Sequence, residues 1–239
     1  MQSDRKSFGV IGAMEEEIVL LKAAMKLEST EKIADMEFCV GTLGGKRLAL
    51  AHCGMGKVNA AICAQLLISR FGAECIVNTG VAGSLDRHID VGDIVVSSDA
   101  VQYDYDVSPI GFAKGEIPYT GLAAFPADAA LRQRAVSAVR RCAPEVRVFE
   151  GRVCSGDRFI ASQAQKDQIT ADFGGLCCEM EGAAIAQVCT LNHVPFVILR
   201  AVSDKADTEI EVDFAAFSRE TAHRCADVVR EMIETDDAC

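Results

Sequence analysis

The 239-residue sequence is short of positive charge: 24 lysines and arginines face 35 aspartates and glutamates, a net of −11. A nucleic-acid partner needs a basic surface to displace counterions from phosphate, so that class is set aside. No uncharged apolar segment reaches about 18 residues, so no membrane span is expected. The opening "MQSDRKSFGVIGAMEEE" holds no sustained apolar run of the secretory kind, and no secretion signal is read there. The 11 cysteines, an odd number, include no CxxC pair. Most lie singly in apolar runs such as "CIVNTG" and "AQVC", the pattern of buried thiols in a reducing cytosol. Cys189 and His193 are four apart, and His223 and Cys225 two apart. Neither pair belongs to a zinc-type ligand set, so neither metal nor cofactor is expected. No Pro-, Gly- or Ser-rich linker and no repeat divides the chain, and one domain over residues 1–239 is the economical reading.

Strand-like and helix-like runs alternate along the chain. "FGVIGA", "RLALAHC", "CIVNTGVAG", "DIVVSSDAVQY", "VRVFEGRVCSGD", "GGLCCEM" and "VPFVILRAVSD" read as strands. "EEEIVLLKAAMK", "GKVNAAICAQLLISRFG", "PADAALRQRAVSAVRRCA", "EGAAIAQVCTLN" and "FAAFSRETAHRCADVVREMIE" read as helices. Continuous apolar strands between helices predict an α/β fold: a mixed, mostly parallel sheet covered by helices on both faces. Segment 103–121, "YDYDVSPIGFAKGEIPYTG", is the least regular and has the character of a lid or an interface arm.

Ligands of open α/β sheets gather beyond the carboxyl ends of strands. Five such ends carry "GAMEEE", "NTGVAGSL", "CSGDRF", "CEMEG" and "RAVSDKAD", and all but the second bring carboxylates. On a helical wheel at ~100° per residue, Glu17 falls ~50° from the centre of the apolar face, Glu15 ~110° and Glu16 ~150°. Glu15 and Glu16 therefore simply complement the helix dipole, whereas Glu17 points inward and needs a partner or a chemical task. Arg200 interrupts an apolar strand and must find an anion, with Glu17 a candidate. Ser203 and Asp204, taken alone, suit a helix cap. Glu179 and Glu181 flank Met180 ahead of an alanine-rich helix, where acids at a helix N-terminus compete as an explanation. "GMGKVN" and "TGVAGSL" are glycine turns that match neither the Walker A nor the GxGxxG pattern. They suit close approach to an uncharged ligand, or ordinary turns.

Together "IGAMEEE", "GMGKVNAA", "NTGVAG", "VGDIVVS", "SGDRFI", "EMEGAAIAQVC" and "VPFVILRAVSDKAD" resemble, in order, the 5′-methylthioadenosine/S-adenosylhomocysteine nucleosidases of the purine nucleoside phosphorylase superfamily. The resemblance runs from about Val10 to Phe217. It implies that Glu17 activates water and Asp204 protonates N7 of the leaving adenine. It further implies that Glu181 grips the ribose hydroxyls, Met180 packs on the sugar, Phe159 stacks on the purine and the Ile160 backbone reads its edge. Ser203 would hold Asp204, Arg200 would sit by the water and the acidic cluster, and Phe214 would close over the base. Met55, Val81, Ala82, Gly83 and Glu179 complete the implied substrate-binding set. The family forms cytoplasmic homodimers in which a neighbour's loop completes the 5′-thio pocket, and Ile110 and Pro118 match that loop. Val81, Ile110, Lys114 and Arg158 stand where serine, an aromatic, histidine and a small residue are common.

The chemistry accounts for these residue types. Breaking an N-glycosidic bond makes a cationic sugar and a purine anion, so an acid beside N7 must supply a proton while a second carboxylate stays charged for water. A phosphate nucleophile would meet "GAMEEE", and two like charges ~4 Å apart repel by ~4 kcal/mol at an effective dielectric of 20. Hydrolysis is therefore favoured over phosphorolysis. The other readings are a futalosine-type or broader purine nucleosidase, a purine nucleoside phosphorylase, and a non-catalytic nucleoside-binding protein of the same fold.

Overall fold

The computed structural model describes residues 7–206 and 214–235, the side chains of 214–219 excepted. One mixed sheet runs through it. The first strand, β1 (Phe8–Gly12), is buried along its whole length and hands over at once to α1 (Glu15–Ala24). Strands β2 (Lys26–Ile33), β3 (Met36–Leu43) and β4 (Lys46–His52) form an antiparallel extension that returns beside β1. Then follow α2 (Lys57–Ser69), β5 (Cys75–Ser84), β6 (Ile94–Gln102) and a 3₁₀ turn at Ser108–Ile110. The short β7 (Phe125–Pro126) precedes α3 (Ala129–Cys142), β8 (Val148–Ser155) and α4 (Gln163–Phe173). Last come β9 (Cys177–Glu179), α5 (Gly182–Leu191), β10 (Phe196–Asp204) and α6 (Phe214–Glu234).

Strand alternation sorts the core into two layers. Phe8 and Val10 of β1, and Leu48 and Leu50 of β4, pack with α1, α3 and α6. Ile11, Ala49 and Ala51 face the other way, toward α2 and α5. Helices thus cover both faces, as expected for strands that are apolar on both sides. The small residues of α5, Ala183, Ala184 and Ala186, are buried and let it lie close to the sheet and to α2. Among the described residues every cysteine is free, and all but Cys142 are buried. No described helix is long and apolar enough to cross a membrane.

The elements that the sequence left unread are the β2–β3 hairpin, β7 and α4. Apolar alternation is weak in β2, "KLESTEKI", which lies at the outer edge of the sheet and is mostly exposed. Its turn also lacks an Asn-Gly signal: Ala34 (φ 50°) and Asp35 (φ 61°) take the two left-handed positions of the hairpin. Helix α4, "QAQKDQITADF", is polar and buries only Lys166 and Ile169.

The pairings dictate where a site must be. β10 pairs with both β5 and β6, β6 with β8, β8 with β9, and β9 with β5, closing a ring of five strands. β5 and β9 are antiparallel and meet only where the carboxyl end of β5 passes the start of β9, Gly83 opposite Cys178 and Ser84 opposite Cys177. β1 and β10 run parallel to β5 on its two sides. The ends of β1, β5, β9 and β10 therefore converge on one spot.

Candidate active site

At that spot lies a cleft of about 600 Å³, lined among others by Ala13, Met14, Glu17, Met55 and Val81–Gly83. Arg158–Ile160, Cys178–Glu181, Ser203 and Asp204 make the remaining wall. Segments from both ends of the chain meet here.

Glu17 is the third residue of α1 and only 1% exposed, whereas Glu15 and Glu16 are exposed. Its Oε2 accepts N–H donors from Ala13 (2.6 Å) and Met14 (3.0 Å), reaching back to cap its own helix. Its Oε1 accepts the Val81 N–H at 3.1 Å. Helix capping and an inward role thus coexist in one side chain, because the two oxygens face different ways. Burial pushes the Glu17 carboxyl above its ordinary range, opposed by the Arg200 charge and by the N–H groups of Met14, Val81 and Ala13.

Arg200 is fully buried and lies behind the cleft wall rather than on it. Its Nη2 donates to Glu179 Oε2 and to Asn78 Oδ1 (2.6 Å), and stands 3.6 Å from Glu181 Oε2. Glu17 is not its ion-pair partner: Glu179 takes that place, and Glu17 feels the guanidinium through its field. Burial works against the Arg200 charge, but Glu179, Glu181 and Glu17 together hold its pKa above the ordinary value. Nη1 nonetheless comes close to Glu17 Oε1 over Gly80, where a Cβ would collide with both.

Glu179 lines the cleft, yet its oxygens are used internally. They accept from Ser155 Oγ, Arg200 Nη2, the Glu181 N–H (3.1 Å) and the Gly182 N–H (2.8 and 3.0 Å). Strand β9 ends at Glu179, so strand alternation does not extend to Glu181, which starts α5. Glu181 is buried, and its Oε1 accepts the Gly56 N–H at 2.8 Å. Burial first, then the Glu179 charge, raises its pKa to about 7. Met180 between them is half-buried.

Across the cleft, a bulge between Val202 and Asp204 swings the end of β10. Asp204 Oδ1 accepts the Ala206 N–H at 2.8 Å, and Ser203 Oγ lies 2.8 Å from Oδ2. Gly83 faces Asp204, and a Cβ there would stand 2.8 Å from Oδ1 and 2.9 Å from the Ala206 methyl. "TGVAGSL" is therefore not a turn: residues 79–84 are the end of strand β5, and Gly83 serves close approach of this carboxyl because backbone and acid meet there.

The structure brings Glu17, Met55, Val81, Ala82, Gly83, Phe159, Ile160, Glu179, Met180, Glu181, Ser203 and Asp204 to one cleft. Ile110 and Pro118 lie outside this wall, and the Phe214 side chain lies outside the described residues. Asn78 and Ser155 were missed by sequence reasoning. Asn78 Nδ2 donates to Ile11 O (3.0 Å) and Ser155 Oγ accepts from the Ala183 N–H (2.7 Å), so each ties a site segment to its neighbour. Both stand inside quoted motifs, "NTGVAG" and "SGDRFI", which was the available signal.

A doubly covered mixed sheet with an acidic cleft at converging strand ends is the architecture of a class: residues 7–234 match the family model of the Phosphorylase superfamily. The chain is 40% identical over 227 residues, 95% of either chain, to the 5′-methylthioadenosine/S-adenosylhomocysteine nucleosidase of Shewanella oneidensis. It superposes on the Neisseria meningitidis protein of that name, solved with methylthio-immucillin-A, with a TM-score of 0.92 and 39% identity, covering 96% of this chain and 99% of that one. The futalosine hydrolase of Helicobacter pylori is also similar, with a TM-score of 0.90 and 29% identity over 96% of this chain and 97% of that one. The chain belongs to the phosphorylase superfamily and, within it, to the 5′-methylthioadenosine/S-adenosylhomocysteine nucleosidase family of N-glycosyl hydrolases.

Proposed function

We propose that the protein hydrolyses the N-glycosidic bond of 5′-methylthioadenosine and S-adenosylhomocysteine, releasing adenine and the 5′-thioribose product. The observation that carries this reading is that Glu17 and Asp204, 187 positions apart in the chain, line one cleft. Asp204 delivers a proton to N7 of the leaving adenine, its carboxyl fixed by Ser203 Oγ and the Ala206 N–H. Glu17 orients a water and takes its proton. Its raised pKa makes it a stronger base than an ordinary carboxylate, while Arg200 and three N–H groups keep the charged form accessible.

Glu181 takes the ribose hydroxyls, and its charge steadies the cationic sugar of the transition state. Met180 packs on the sugar, Phe159 stacks on the purine, the Ile160 backbone reads the purine edge, and Phe214 closes over the base. Glu179 acts through others: it neutralises Arg200 and holds the N–H groups of Glu181 and Gly182.

Water rather than phosphate is the nucleophile. Glu17, Glu179, Glu181 and Asp204 line the cleft, and Arg158 is the cation on its wall. The buried Arg200 is already paired with Glu179 and Glu181. A dianion entering beside Glu17 would be repelled.

The active unit is a homodimer in which loop 103–121 completes the neighbour's pocket. In support, Ile110 is 72% and Tyr119 99% exposed, and neither they nor Pro118 line their own chain's cleft.

The test is adenine release from 5′-methylthioadenosine in phosphate-free buffer. Glu17→Gln and Asp204→Asn are each expected to fold and to lose ~10²–10⁴-fold in turnover. Near-normal turnover in either variant removes its assigned role, and adenine release that requires phosphate, with 5-methylthioribose 1-phosphate as the second product, removes hydrolysis. The likeness to a futalosine hydrolase motivates a second arm, in which preferred cleavage of futalosine would replace the substrate assignment.

A further inference from the structure

The network that secures Glu181 extends well beyond the cleft. The turn ahead of α2 offers no side chain to cap that helix, since its N-cap residue is Gly56. Instead Asp157, 100 residues away, accepts the Lys57 N–H on Oδ1 at 2.8 Å. The Asp157 N–H in turn donates to Asp104 Oδ2 at 2.9 Å. Asp104 Oδ1 receives Lys57 Nζ at 2.5 Å, and that ammonium also donates to Gln102 Oε1 at 3.1 Å. Lys57, Asp157 and Asp104 therefore close a ring of hydrogen bonds. It joins the segments after β4, β6 and β8.

Gly56 is caught between this ring and the site. Its N–H points at Glu181 Oε1 (2.8 Å), and on its other side a Cβ would stand 3.1 Å from Asp157 Oδ1. Its φ of 98° is a left-handed conformation that only glycine adopts without strain. The peptide that donates its Gly56 N–H to Glu181 is therefore followed directly by the Gly56–Lys57 peptide, which Asp157, from a distant segment, holds through the Lys57 N–H.

We infer that Asp157 is a positioning residue for sugar recognition: it locks the Gly56–Lys57 peptide so that the Gly56 N–H fixes the Glu181 carboxylate toward the ribose hydroxyls. This rests on the proposed nucleoside substrate. Asp157 touches no substrate; its effect passes through Gly56 to Glu181. The other charged or titratable groups that face Glu181 are Glu179 of β9, Arg200 of β10, Glu17 of α1 and Cys53 after β4. No side chain of these four is hydrogen-bonded to the ring among the described residues; the Glu179 carbonyl accepts the Gly156 N–H at 3.1 Å beside Asp157.

The experiment compares Asp157→Ala and Asp157→Asn with the wild-type full chain. In Asp157→Ala the KM for 5′-methylthioadenosine is expected to rise about tenfold, the loss expected for one hydrogen bond to a charged group, with a much smaller change in kcat. The Gly56 N–H lowers the Glu181 pKa, so its loss moves the acid limb of kcat/KM to higher pH. Asp157→Asn keeps an oxygen acceptor for the Lys57 N–H and is expected to recover most of both effects. Calorimetry with 5′-methylthioadenosine and with free adenine, in the Glu17→Gln background that suppresses turnover, separates binding from chemistry: adding Asp157→Ala weakens the nucleoside and spares the base. Equal weakening of both ligands, or a pH profile superimposable on wild type, overturns the proposal. A wild-type protein that binds the nucleoside but releases no adenine overturns the hydrolase reading instead, and the calorimetric ratio then decides the role of Asp157.

Discussion

Glu17 and Glu181 are both carboxylates taken out of water, and each is stabilised by backbone N–H groups rather than by a private cation. Arg200, the nearby buried cation, is spent chiefly on Glu179. An ion pair of this depth gains little net stability, but removing either partner strands the other charge in the interior. Its position behind the wall lets it influence Glu17 and Glu181 by field while leaving them free for a ligand. The cost appears as a pH dependence. Glu181 has an ordinary carboxyl pKa of 4.5 when unfolded and about 7 when folded. Folding therefore holds a proton that the unfolded chain releases, and stability must fall as pH rises from about 4.5 to about 7. Glu181→Gln stays neutral and lacks this loss. The wild type minus Glu181→Gln difference in unfolding free energy should shrink by roughly a few kcal/mol across that window. Chemical denaturation at a series of pH values measures it, with the raised pKa of Glu17 common to both proteins. A constant difference would mean that Glu181 is already ionised at pH 5.

At the scale of elements, the site is a set of close approaches between strand ends, and glycine sits where backbone must meet carboxylate. Gly83 on β5 is the clearest case. Its missing Cβ makes room for Asp204 Oδ1 and the Ala206 methyl, both within 2.9 Å of where a Cβ would lie. Gly83→Ala should displace the Asp204 carboxyl, a movable side-chain end, and with it the Ala206 segment beyond β10, whose methyl is fixed to its backbone, while the sheet itself is kept. Turnover is expected to fall ~10²-fold, as for loss of a positioned acid, while the melting temperature changes by only a few degrees. Adenine release and a thermal melt on the same sample decide it; unchanged turnover would show that Asp204 tolerates the shift.

The same scale explains what could be read in advance. The inward turn of Glu17 was legible because α1 has a clear apolar face, and Glu15 and Glu16 are exposed beside it. The main strands were legible because each carries a short apolar run, such as "FGVIG" in β1 and "FVIL" in β10. Strand β2 and helix α4 were not, since a mostly exposed edge strand and a polar surface helix carry little periodic signal. The pairing of Arg200 with Glu179 and the ring through Asp157 were hidden for a different reason. They join residues 21 to 100 positions apart, and no local pattern encodes such contacts.

For the molecule as a whole, the cleft lies beside a ring of strands closed by β9 and β10. In the proposed binding mode the sugar and purine are held by one chain, and the 5′ end is left to the neighbour. Apolar side chains are exposed on the outer faces of the helices beside it: Val58 on α2 is 70% exposed and Leu191 on α5 is 60% exposed, and these two helices pack on each other. If that surface seats a second copy whose loop 103–121 reaches the cleft, two charges placed on it should act at a distance. Val58→Asp with Leu191→Asp is expected to give a monomer by sedimentation velocity, with the circular dichroism spectrum unchanged. The KM for 5′-methylthioadenosine should then rise well above that of the wild type, because the 5′ end loses its wall, while free adenine should bind as before. In the proposed binding mode the adenine contacts, Phe159, Ile160, Asp204 and Phe214, all come from the same chain. A monomer that keeps the wild-type KM would show that loop 103–121 of a neighbour contributes nothing to the pocket, and a wild type that sediments as a monomer would remove the dimer altogether.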